Sequence, residues 1–479
     1  MKSNQRVRRV LGFIAVGSGA TALFLIAAWV YIIAPVSAQS QEKTPPDKDH
    51  SSTDLYSYMG AASCSGSACH GSTTPRTKLK IPQNEFFIWS QKDRHTKAYE
   101  VLLNPDSKRI AQNLKLDKPE QSARCLVCHA LRVEPDRQGA LVEIEEGVTC
   151  EACHGPSEKW LGPHIRKDFD ALKATSLGMY PTKDLAKRST KCLACHLGAG
   201  PDQIVDHELI GAGHPRLKFE LDTFSSQMPA HWLPPKDKSA KDWLGTKTWA
   251  IGQAVALRDQ IHLLTSSRKG KGGLWPDFIH FECYACHHEV VDRVRDISED
   301  DKKLQRWRVR DYGGKPGRLV WNASNYAVYR HIINLISPDQ AKMLDQSVKA
   351  FHEGLTGKRG AAESFDASLT KLAELTDQLV PKVSQFVWNQ QNVMTLMRNI
   401  SGDGHAIGNA GFQAAEQAVM TLASLMDAYM DAVGNLPDAA GAREGIDGLY
   451  KEIKDGRTFS QVRFEATMQK VHGVLVKGG

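Results

Sequence analysis

Ten cysteines and eighteen histidines stand in a chain of 479 residues, and their spacing is not random. All ten cysteines fall between Cys64 and Cys286, in five pairs, and a histidine follows each pair at once. The pairs read Cys64-Ser-Gly-Ser-Ala-Cys69-His70, Cys125-Leu-Val-Cys128-His129, Cys150-Glu-Ala-Cys153-His154, Cys192-Leu-Ala-Cys195-His196 and Cys283-Tyr-Ala-Cys286-His287. Two thiols at this spacing can add to the two vinyl groups of one haem, and the next histidine then reaches the iron. The first pair has a four-residue gap, a less common variant that the attachment chemistry tolerates. Five disulfides or paired-cysteine zinc sites would also use ten cysteines. Neither explains the histidine after every pair. The expectation is five covalently attached c-type haems, held through Cys64, Cys69, Cys125, Cys128, Cys150, Cys153, Cys192, Cys195, Cys283 and Cys286. His70, His129, His154, His196 and His287 are the proximal ligands.

A sixth ligand decides what such an iron can do. An iron with two histidines is saturated and passes electrons, whereas an open iron binds small molecules. Eight further histidines lie in the same segment: 95, 164, 207, 214, 231, 262, 280 and 288. His95, His164 and His214 are the first candidates for distal ligands, followed by His207, His231 and His262, with His280 weaker. His95 lies in a stretch from Phe86 to Tyr99 that reads as one amphipathic helix. His214 lies in the glycine-bearing loop Gly211-Ala-Gly-His-Pro-Arg-Leu217. His288 adjoins His287 and could serve only a neighbouring haem. Met59, Met179 and Met228 are read as packing residues. Arg216 and Lys218 are candidate partners for haem propionates.

The elements that must position these residues divide the chain unevenly. Residues 1–38 carry Lys2, Arg6, Arg8 and Arg9, then an apolar run from Leu11 to Ala34, then Val36-Ser37-Ala38. This is a secretory signal or, since the run nearly spans a bilayer, an uncleaved N-terminal anchor. Either reading puts the rest on the periplasmic or extracytoplasmic side. Residues 39–57 read as a flexible linker. Residues 58–290 read as a loop-rich pentahaem domain with short helices, 291–318 as a charged linker, and 319–479 as an antiparallel helical bundle. In the last, Ser337-Pro338-Asp339-Gln340 reads as a helix start. Three apolar stripes at helical spacing follow: Leu344, Val348, Phe351 and Leu355; Phe365, Leu369, Leu372 and Leu379; and Ala415, Val419, Leu422, Met426, Tyr429 and Val433, ended by Gly434. The fold class is therefore mainly α. His331, His352, His405 and His472 lie in the bundle and read as surface or core histidines. The formal charge of +7 includes the four N-terminal positives, and five oxidised haems would bring the mature chain to about −2. No basic stripe with interleaved aromatics is present, which excludes a nucleic-acid binder.

The segment from Tyr58 to His288, about half the chain, resembles the cytochrome c-554-type multihaem family. The resemblance rests on Gly60-Ala-Ala-Ser-Cys64, on Trp89-Ser90 with His95 and Ala98-Tyr99, on Gly147-Val-Thr-Cys-Glu-Ala-Cys-His-Gly-Pro156, and on Gly213-His-Pro-Arg-Leu217. It implies close-packed haem pairs, mostly bis-histidine ligation and electron shuttling between redox proteins. In the type members one haem is five-coordinate and the partner oxidises hydroxylamine. This chain departs in having five motifs, a longer first gap and a helical C-terminal region. Two functions follow as expectations: an electron carrier, or a haem oxidoreductase acting on a small nitrogen or oxygen species at an open iron.

Overall fold

The computed structural model describes residues 56–79, 81–233, 243–269, 276–287, 319–356, 362–436 and 438–477. The N-terminal apolar run, nearly all of the linker after it, His288 and the charged stretch 291–318 lie outside the described residues. Among the described residues no helix is long and apolar enough to cross a membrane.

The protein is mainly α, and helix length changes sharply along it. The first part uses short helices: α1 (Glu85–Lys92), α2 (Ala98–Leu102), α3 (Pro105–Asn113), α4 (Ala123–His129), α5 (Cys150–His154), α6 (Ala171–Ser176), α7 (Leu185–His196), α8 (His207–Ala212) and α9 (Leu221–Gln227). Short polar side chains start many of them. Asn104, Asp170, Asp184 and Asp206 each accept a backbone N–H from the first turn of the helix that follows. The apolar cluster proper to this part is small: Leu102, Leu126 and Ala130, flanked by Tyr99, Cys125 and Ile144.

The stretch from Phe86 to Tyr99 is not one helix, as its apolar pattern predicts. It stops at Lys92, and a 3-10 turn, Arg94–Lys97, intervenes before α2. Asp93 is the cause. Its carboxylate accepts from the His95 amide, a local bond that competes with helix continuation.

Long helices make up the rest: α10 (Leu244–Lys269), α11 (Ser324–Ile336), α12 (Pro338–Thr356), α13 (Ala362–Gln385), α14 (Gln390–Gly402), α15 (Gly404–Ala410), α16 (Phe412–Val433), α17 (Ala439–Glu452) and α18 (Gln461–Lys477). Neighbours in sequence fold back on one another, α11 on α12, α12 on α13 and α17 on α18. The three apolar stripes face inward; Leu344, Val348, Phe351, Leu369, Leu379, Val419 and Leu422 are buried, while Leu355 and Val433 are half-buried. Helix α12 starts at Pro338 as its sequence requires, and α16 ends on Gly434 in the left-handed region, φ 78°.

One large core runs through this helical part, and α10 belongs to it although it precedes the fifth motif in sequence. Helix α10 packs on α13 and α16 and also on α7 and α9. Trp249 is fully buried and donates its indole N–H to Thr421 Oγ1 at 3.0 Å. Gln417 Nε2 donates to the Phe219 carbonyl at 2.9 Å, and Ser424 donates to Asp222 at 2.5 Å. A cavity lies under α10 and α16, lined in part by His196, Arg216, His280, Asn322 and Glu416.

Two predictions follow from this joint. A Cβ at Gly252 of α10 would stand 2.6 Å from Leu221 Cβ. Alanine improves helix propensity by up to about 1 kcal/mol, but overpacking costs about 1–3 kcal/mol, so Gly252→Ala is expected to lower the denaturation midpoint. Asp222 has its pKa pushed up to about 7 by burial, with Glu220, Asp427 and Asp431 adding to the rise against the opposing Ser424 bond. Below about pH 4 the carboxyl is protonated whether folded or not. Between about pH 4 and 7 only the folded form keeps the proton, so its contribution to stability falls as pH rises. Asp222→Asn is therefore expected to gain on the parent by about 2 kcal/mol between pH 5 and pH 8, read from melts at both pH values.

Candidate functional site

Motifs two to four sit in the last turns of α4, α5 and α7, each helix ending on the motif histidine. There the helix hydrogen-bond pattern runs from the histidine amide back to the first cysteine carbonyl. The fifth motif makes the same bond, His287 N–H to Cys283 O at 2.9 Å. So does the first, despite its longer gap. His70 N–H donates to Cys64 O at 3.2 Å, and the two additional residues are absorbed by a turn closed from Cys69 N–H to Gly66 O. The long-gap motif thus presents its ends as the short ones do.

Each motif histidine faces one other histidine. Ring centroids are 6.1 Å apart for His70 and His164, 6.4 Å for His95 and His196, and 6.3 Å for His129 and His214. They are 6.4 Å apart for His154 and His231 and 6.0 Å for His207 and His287. Two metal–imidazole bonds of about 2 Å plus the ring radii span about 6 Å, so each gap fits one iron with a ring on either side. Among the described residues no group of three or more His, Cys, Asp or Glu gathers as a protein-only metal site would need. The partners in each pair lie about 75 to 100 residues apart in the chain, and the five spans overlap in sequence.

Ring orientation is fixed from behind. Nδ1 of His129 lies 2.7 Å from the Ala98 carbonyl, that of His164 2.5 Å from Leu161 O, and that of His214 2.8 Å from Pro215 O. His70 Nδ1 lies 2.9 Å from Glu85, and His95 Nδ1 2.8 Å from Asp93. A carbonyl or carboxylate only accepts, so Nδ1 carries the proton and Nε2 keeps its lone pair. That is the tautomer a metal needs. Burial pushes His154 and His196 down to about 4 and lowers His129 and His231. These rings are neutral and ready to ligate. His70 and His95 are raised, chiefly by their hydrogen bonds to Glu85 and Asp93.

No disulfide joins any two of the ten cysteines, and two contacts run between motifs rather than within them. Cys64 meets Cys150, and Cys128 meets Cys195. Motif three is also tied to the start of the described chain. Buried Glu151 accepts from the amides of Met59, Gly60 and Ser157 at 2.7 to 3.1 Å. Arg124, beside motif two, pairs with Asp206 and Glu208, which flank His207 on α8. The fifth motif is seated on the bundle. Cys283 N–H donates to Gln413 Oε1 at 3.3 Å, and the Tyr284 ring packs edge-on to Phe412.

Other histidines have different surroundings. His262 bonds Asp377 on α13 at 2.9 Å, which holds it on the bundle side and away from the motifs. His280 is buried in the cavity wall. His331 pairs with Asp403, His405 with Glu465, and His472 with Ser401, while His352 is buried in the core. Arg216 pairs with Glu416 on α16. Glu85 and Asp93 escaped the sequence reading. Their signal was a carboxylate close to a candidate ligand, too common to single out.

Residues 63–155 match the family described as cytochrome c554 and c-prime. That stretch holds the first three motifs and His95. The match covers that stretch alone, and there the chain is similar to the cytochrome c-554-type family. A cytochrome c-554 from Nitrosomonas europaea is 36% identical over 118 residues, which is 22% of this chain. The chain spans about half, 48%, of that relative's length. No solved structure matches. The cytochrome c-554 match implies c-type haem, the group that the paired thiols and facing rings fit.

Glu151→Gln puts an N–H where three amides need an acceptor. It is expected to cost about 2 kcal/mol or more, and to speed amide exchange at Met59 and Gly60 while leaving the bundle amides protected.

Proposed function

We propose that this chain is an exported electron-transfer cytochrome that carries five c-type haems, each held between two histidines. The observation that carries the reading is the set of five facing imidazole pairs, one for every motif histidine. On this reading the ligand pairs are His70 with His164, His129 with His214, His154 with His231, His196 with His95, and His287 with His207. The thioether bonds go to the cysteines of the same motif. Bound haem supplies one-electron Fe(III)/Fe(II) chemistry and, with both axial positions taken, no vacant site for a substrate. The chain's own residues fix five of the rings by Nδ1 bonds, keep His129, His154, His196 and His231 neutral by burial, and bring neighbouring motifs together. The bundle supports the fifth motif and walls the fourth. Donor and acceptor are redox proteins outside the membrane, and the basic and apolar N-terminus serves as export signal or anchor.

The ring planes give this reading a sharp test. Parallel rings split the iron d orbitals strongly and give a rhombic low-spin signal. Perpendicular rings leave two orbitals nearly degenerate and give a very large maximum g value. His70/His164 and His207/His287 lie at 16° and 33°, whereas the other three pairs lie at 80° to 85°. The oxidised protein, carrying five haems by mass, is expected to show two rhombic and three large-g low-spin signals, all indifferent to nitric oxide. A high-spin signal that nitric oxide alters would replace this reading with one in which an open iron does chemistry.

A further inference from the structure

Two of the ten facing rings differ from the others in what stands behind them. His70 and His95 have carboxylates at Nδ1, while His129, His164 and His214 have carbonyls. Both carboxylates are shielded: the Asp93 side chain is 3% exposed and that of Glu85 15%. Asp93 is held further by the His95 amide, and Glu85 by the Gln83 amide. Neither can swing away cheaply.

An anionic acceptor draws the Nδ1 proton toward itself and makes the ring a stronger electron donor. A stronger donor stabilises Fe(III) relative to Fe(II) and lowers the potential. A neutral carbonyl does the same far more weakly, and burial keeps the difference from being screened. The two carboxylates are also distributed. Cys64 touches Cys150, which brings the attachment points of the first and third motifs together. Cys128 touches Cys195, which does so for the second and fourth. His70 serves the first motif, and His95 faces the fourth. Each adjacent pair therefore contains one carboxylate-backed member.

We propose that Glu85 and Asp93 are positioning residues that polarise the two pairs, making the first and fourth haems the low-potential members. The proposal rests on the five-haem reading above. Within the two pairs, the first electrons would then rest on the third and second haems.

The test uses the full-length, haem-loaded protein in a redox titration followed by visible absorption and EPR. Glu85→Gln is expected to raise one potential, that of a rhombic signal. Asp93→Asn is expected to raise another, that of a large-g signal, and its amide can still cap the turn at His95. Asp222→Asn, which removes a buried carboxyl that bonds Ser424 rather than a ring, is expected to move neither. The unaltered protein offers a second measurement that needs no variant. One rhombic and one large-g signal should be reduced after the other two large-g signals. Unchanged potentials in both variants, with five low-spin haems retained, would overturn the proposal and leave the ligation reading standing. So would three large-g signals that are all reduced after both rhombic ones. Fewer than five haems or a high-spin iron in the unaltered protein would overturn the ligation reading itself.

Discussion

The approach of ten imidazoles in five facing pairs is the constraint to which the rest of this structure is subordinate. Each approach must hold to within a fraction of an ångström if one iron is to bridge it, and the separate apolar cluster around the early motifs, Leu102, Leu126 and Ala130 among the described residues, is too small to impose that. The precision comes from small polar devices instead. Carbonyls and carboxylates clamp Nδ1, aspartates and asparagine start short helices at fixed points, and Glu151 gathers three amides at one carboxylate. Regular secondary structure is short there because it only has to deliver a histidine and two thiols at a helix end.

The helical part obeys different physics. Long amphipathic helices bury a continuous apolar core, and α10 carries that core back across to α7 and α9. The contacts at the joint are polar as well as apolar: Trp249 to Thr421, Gln417 to Phe219, Ser424 to Asp222, Arg216 to Glu416. Such paired groups resist sliding, which a purely greasy interface would permit.

Much of this was legible in the sequence. The three stripes of the bundle follow from periodicity because burial and helical pitch are local facts. The start at Pro338 and the stop at Gly434 follow from backbone chemistry. Which histidines would face the motifs was legible only as a set of candidates, because pairing depends on contacts about 75 to 100 residues apart. His262 illustrates the limit. Nothing around it in sequence separates it from His207 or His231, yet a carboxylate on α13 engages it. The broken helix at Asp93 was hidden for a related reason: the apolar pattern continues through a residue whose side chain stops the turn.

The overlapping spans between facing histidines carry a consequence for how such a chain can assemble. No pair closes a loop that is independent of the next; the segment from 70 to 164 already contains His95, His129 and His154, whose partners come later in sequence. Closing one loop shortens the loops still open, and the entropy cost of a closure grows with the logarithm of its length. Taken from the N-terminus, the second, third and fourth closures are each cheaper once the one before is made, like a chain stitch in which each loop is threaded through the one before. A chain that crosses a membrane N-terminus first would meet its ligands in that order.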